Sequence, residues 1–171
     1  MIPIIAARVG LIAVAACVAS PAFAGPAFGV KPGAPISSVK VLSSLSGRYF
    51  DIAPPSPNKA FSRYTVVATK ETGICQVWAE TTYKPAPDRV AFGKLHSTLV
   101  TLYGPASSYP GEAYYEAGMD AGWSSKLPPG IKAIDLYHSK SDQGYLVVLA
   151  YTFTNYRACR LKGLGAARDG L

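Results

Sequence analysis

Hydrophobic positions recur along this chain with two different periods, and the change of period marks the elements. A period of two, rich in β-branched and aromatic residues, predicts strands over residues 48–53, 61–69 and 74–82. Residues 70–73, Lys-Glu-Thr-Gly, read as the hairpin turn between the last two. The run Pro54-Pro55-Ser56-Pro57 ends the first strand, because no central strand tolerates that loss of N–H donors. Two later strands, 131–137 and 145–155, flank a turn at 139–144. Residues 156–161 read as an extension of the final strand, and residues 28–33 as a short strand and turn.

A period of three and four appears twice. Ile36, Val39, Leu42 and Leu45 follow Pro35 and stop at Gly47, which predicts a first helix. Phe92, Leu95, Leu99 and Leu102 predict a second, capped by Asp88 and ended by Gly104-Pro105. Residues 106–130 are loop-rich. The order of helix, strands, helix, strands gives an α+β fold: an antiparallel sheet of about five to six strands with two main helices packed on one face. No Gly-rich loop joins a strand to a helix, so a nucleotide-binding sheet has no support.

The first 24 residues change the setting. Arg8 precedes an apolar run from Val9 to Ala19, Ser20-Pro21 breaks it, and Ala22-Phe23-Ala24 offers a signal-peptidase site. The run is about half of what a spanning helix needs, so no integral membrane span is expected. Val14-Ala15-Ala16-Cys17 is similar to a lipobox, and on that reading a lipidated Cys17 would anchor the domain to a membrane. Either way the chain is expected to be periplasmic or secreted. Cleavage after Ala24 leaves one domain over 25–171, its last residues 163–171 a flexible tail, and two cysteines, Cys75 and Cys159. An oxidising compartment is expected to pair them, and a free reactive Cys75 beside a histidine is the alternative.

The chain carries 49% apolar and 16% charged residues, a composition that folds. Its net charge is +7, with a local basic cluster at Arg157, Arg160, Lys162 and Arg168. Peripheral contact of this tail with anionic lipid or a polyanion is one reading, and a solvated terminus is the other. Aromatic residues are not interleaved there, so no nucleic-acid partner is expected.

Candidate chemistry is sparse. Two histidines far apart and no spare thiols do not make a zinc site, so neither metal nor cofactor is expected. A serine with His96 or His138 and Asp135 would satisfy the hydrolase triad, but no Gly-x-Ser-x-Gly elbow selects it. The plainer readings place His96 at a helix edge and His138 in an exposed turn. The richest stretch is 107–126, where Tyr109, Tyr114, Tyr115, Met119 and Trp123 interleave with Glu112, Glu116 and Asp120. Acids every fourth residue would form one helical stripe, although Gly111, Gly118 and Gly122 weaken that helix. Glycoside chemistry needs carboxylates across a cleft, which a single stripe does not supply. Aromatics beside fixed polar groups bind proteins or sugars, which makes Tyr114, Tyr115, Glu116 and Trp123 the expected contact residues. A connecting segment whose aromatics cover the sheet is the alternative.

Four landmarks, Phe28-Gly29-x-Lys31-x-Gly33, Thr72-Gly73-Ile74-Cys75, Leu99-x-x-x-Tyr103-Gly104-Pro105, and Gly144-Tyr145-Leu146 through Tyr151-x-Phe153-x-Asn155 with Cys159, resemble a group of small exported bacterial proteins. The resemblance implies a shared fold and disulfide and carries over no catalytic residue. The opening Phe-Gly-x-x-x-Gly is also similar to modules of outer-membrane assembly lipoproteins and β-lactamase inhibitor proteins, which bind and do not catalyse. The expectation is a non-enzymatic periplasmic binding or accessory module recognising a protein or envelope component. The rival expectations are a small envelope hydrolase using His96 or His138, and an inhibitor or immunity-type protein.

Overall fold

The β-branched and aromatic runs become the middle of a sheet. The structure, a computed structural model, describes residues 26–83, 89–108, 120–141 and 144–161. The strands are β1 (Lys40–Ser46), β2 (Tyr49–Ala53), β3 (Arg63–Thr69), β4 (Gly73–Tyr83), β5 (Asp120–Trp123), β6 (Ile131–Ser141) and β7 (Gly144–Phe153). Helix α1 (Arg89–Tyr103) lies between β4 and β5, and a short helix α2 covers residues 156–161. The sheet order is β1-β2-β3-β4-β7-β6-β5, and every neighbouring pair is antiparallel.

The α+β class and the antiparallel sheet agree with the sequence, while the strand count rises to seven. Two strands are additions: β1, and β5, a four-residue strand inside the segment read as loop. The segment read as a first helix is the largest correction. Only Ile36–Ser38 is helical, as a 3₁₀ turn, and Lys40–Ser46 is strand β1. The register explains the misleading spacing. Val41 pairs with Ile52 and Ser43 with Asp51, then Ser44 with Phe50 and Ser46 with Tyr49, so Leu42 and Leu45 are extra residues of two bulges. Two bulges three residues apart imitate a helical repeat. Residues 28–33 likewise start in a 3₁₀ turn, Pro26–Gly29, and not in a strand. Residues 156–161 form α2 and not an extension of β7.

The two helices do not share a face. Val66 and Val67 are neighbours in β3 and must point oppositely. Val66 joins the large core with Phe92, Leu95 and Leu99 of α1. Val67 joins a small cluster with Cys75 and with Cys159 of α2. α1 follows the predicted spacing at Phe92, Leu95 and Leu99, which are buried, whereas Leu102 is exposed. It ends where Gly104, at φ +82°, donates its N–H to the Val100 carbonyl at 2.8 Å. Asp88, the expected cap, lies outside the described residues.

Three of the landmark motifs meet in space. Gly33 N–H donates to Ile74 O and Ile74 N–H to Ala34 O, both at 2.8 Å. Asn155 Nδ2 donates to Thr72 O at 2.8 Å and to Ile74 O at 3.1 Å. Gly73 sits at φ +67°, and a Cβ there would overlap the Gly33 carbonyl, so this crossing requires glycine. Phe28 packs edge-on against Phe61, Tyr64 and Tyr151, fixing the N-terminal segment over the α1 side of the sheet.

Candidate functional site

The residues expected to carry contact or chemistry are mostly in the core or outside the described segments. Trp123 is 1% exposed in β5, and its Nε1 donates to Gly104 O at 2.8 Å. It closes the end of α1 with its ring in the core. Tyr114, Tyr115 and Glu116 lie outside the described residues, as do Tyr109, Glu112 and Met119. Asp120 opens β5, so the acidic stripe does not continue on a helix to that position.

His138 is a second correction. β6 runs to Ser141, four residues past its expected end, so His138 falls within the strand and is buried. Its ring stacks on Tyr145 at 6.3 Å and meets the edge of Phe92 at 6.0 Å. His96 on α1 is half-buried, tilted against Trp123 at 5.8 Å, and burial lowers its pKa below the usual imidazole value. Both histidines therefore stand among aromatic rings between α1 and the sheet. Among the described residues no group of three or more His, Cys, Asp or Glu is placed to hold a metal, and no helix is long and apolar enough to cross a membrane.

The other face of the sheet is built differently. Cys75 and Cys159 are joined, with Cα atoms 6.3 Å apart. A bulge makes this possible. Val67 pairs with Gln76 but Ala68 with Ile74, so Cys75 is the extra residue and points to the α2 side, opposite to Val77 two positions on. Tyr49, Trp78 and Tyr156 pack around the bond. Beside it lies a cavity of about 70 Å³ lined by Arg48, Tyr49, Val67, Tyr156, Cys159 and Arg160. Arg48 comes from the β1–β2 turn, Tyr49 from the start of β2, and Tyr156 and Arg160 from one side of α2, four residues apart. The Arg48 guanidinium sits 5.3 Å from the Tyr49 ring centre and donates to its hydroxyl at 3.4 Å.

A second feature lies at the β1 edge. All seven β1 residues are exposed, including Val41, Leu42 and Leu45 at 42%, 61% and 49%. Next to Leu42 is a cavity of about 270 Å³ lined also by Asp51, Ile52, Ser62, Arg63 and Tyr64. Arg63 holds Asp51 and Glu80, each at 3.0 Å, and Thr65 and Ser43 donate to the Asp51 carboxylate at 2.9 and 3.2 Å. Burial alone would raise the Asp51 pKa; the hydrogen bonds from Arg63, Thr65 and Ser43 and the Arg63 charge outweigh it and lower it.

Sequence reasoning placed Arg160 in a basic tail and passed over Arg48, Tyr49 and Tyr156, because nothing in one dimension brings residues 48 and 160 together. The disulfide was the available signal: once Cys159 is tied to Cys75, its neighbours Tyr156 and Arg160 must lie over β3 and β4. Compared with protein-family models, with characterised proteins and with solved structures, the chain matches none.

Proposed function

We propose that this chain is an exported, non-enzymatic binding module that engages a partner protein through the β1 edge. The observation that carries the reading is the pair of bulges that push Leu42 and Leu45 out of register at an exposed edge, beside a cavity rimmed by Asp51 and Arg63. Apolar anchors next to a pocket, with a charged, hydrogen-bonded rim, are the arrangement found at the energetic centres of interfaces. The volume of about 270 Å³ lies just below the range of whole small-molecule sites, and suits one inserted apolar side chain better than a metabolite. Bulges also interrupt the ladder and hinder strand addition at an edge. Side chains rather than backbone pairing therefore make the contact.

Export rests on the leader. The Cys75–Cys159 pair and the lack of a membrane-length helix among the described residues are compatible with a periplasmic or secreted location. The test is comparative capture from native envelope extract with wild-type protein and a Leu42→Lys/Leu45→Lys variant. A protein retained by the wild type and lost by the variant, with the melting temperature unchanged, is the expected result, because both leucines are exposed. Equal retention by both proteins contradicts the β1 assignment.

A further inference from the structure

The cavity beside the disulfide is independent of the β1 edge and calls for a different ligand. We propose that it binds a phosphate group. Two arginines and two tyrosines line it from two elements, Arg48 and Tyr49 from the start of β2 and the turn before it, and Tyr156 and Arg160 from α2. Among the described residues neither Arg48 nor Arg160 takes part in an ion pair. No carboxylate lines the cavity, so the lining supplies two cationic side chains and no counter-charge of its own.

Size and donor geometry narrow the anion. About 70 Å³ lies well below the roughly 300 to 1,000 Å³ of whole small-molecule sites and suits a single oxyanion group. A carboxylate is planar, and one arginine fork nearly saturates it. A phosphate monoester spreads three terminal oxygens in three dimensions, which matches donors arriving from a sheet and from a helix above it. The Tyr49 ring beneath Arg48 holds that fork in place before the ligand arrives. Because α2 supplies half of the donors, the Cys75–Cys159 bond fixes their spacing.

Free phosphate and a phosphomonoester lipid headgroup offer the same chemistry, and one experiment separates them. The oxidised protein is titrated with inorganic phosphate by calorimetry, and in parallel sedimented with phosphatidylcholine vesicles with and without phosphatidic acid. Saturable binding in either arm is expected, weakened about tenfold by Arg48→Gln and by Arg160→Gln. Arg157→Gln removes the same charge from α2 but lies outside the cavity lining, and leaves binding within about twofold. Binding to phosphate alone assigns a soluble ligand, and retention only on phosphatidic acid vesicles assigns a headgroup. Absence of binding in both arms overturns the proposal. So does an Arg157→Gln loss equal to that of Arg160→Gln, which would show diffuse charge, or acetate binding as tightly as phosphate.

Discussion

The two faces of this sheet are covered by different means. On one, α1 contributes Phe92, Leu95 and Leu99 to a continuous core that takes in Val66, Val77, Leu149 and Phe153. On the other, a six-residue helix meets a small cluster around Val67, and a covalent bond holds it there. A helix of that length is not stable by itself in water. The first face is secured by buried apolar area, the second by a crosslink. The two cavities described above and the charged network around Arg63 involve the β1–β3 half of the sheet.

Substitutions on each side should differ accordingly. Leu99→Ala removes a fully buried side chain from the α1 core and should cost about 3 kcal/mol in urea denaturation. Tyr156→Ala trims a partly buried ring over a tethered helix, and should cost about 1 kcal/mol while the disulfide is intact. Equal losses would remove the contrast between the faces.

The smallest effects are electrostatic and fall in separate pH windows. His96, on the α1 side, has its pKa lowered by burial, so the folded protein binds fewer protons than the unfolded chain just below the ordinary imidazole value. Stability is full above about pH 6.5, declines as pH falls towards the folded pKa, and levels off beneath it. Asp51, on the open side, also has a lowered pKa, and its contribution is present above about pH 4 and lost as pH falls through the folded value. Denaturation midpoints from pH 8 to 3, about one unit apart, should show two descents. His96→Gln should abolish the upper one only, and Asp51→Asn the lower one only.

What the sequence revealed follows from the range of the interactions involved. β3 and β4 were legible because residues buried on both faces need β-branched and aromatic side chains without interruption. α1 was legible because Phe92, Leu95 and Leu99 line one side of a helix. β1 was not, since its bulges place Leu42 and Leu45 three apart, and pairing with β2 overrides the local helical signal. The burial of Trp123 was not legible because a four-residue strand has too few alternations to mark its inward side. The Arg48–Arg160 cavity was invisible because it requires the sheet order, the Cys75 bulge and the disulfide together. The pairing of Cys75 with Cys159, read from the expected leader and from counting cysteines, is the part of that site the sequence did supply.

The measurement that goes most directly to the contrast is amide hydrogen exchange on oxidised and gently reduced protein. The bond spans 84 residues, and its loss withdraws up to about 4.5 kcal/mol by loop entropy. Reduction should release the α2 amides, those of Cys159 and Arg160 among them, at reductant levels that leave α1 around Leu95 and Leu99 protected. Release of α1 together with α2 would contradict a sheet whose faces are held by separate means.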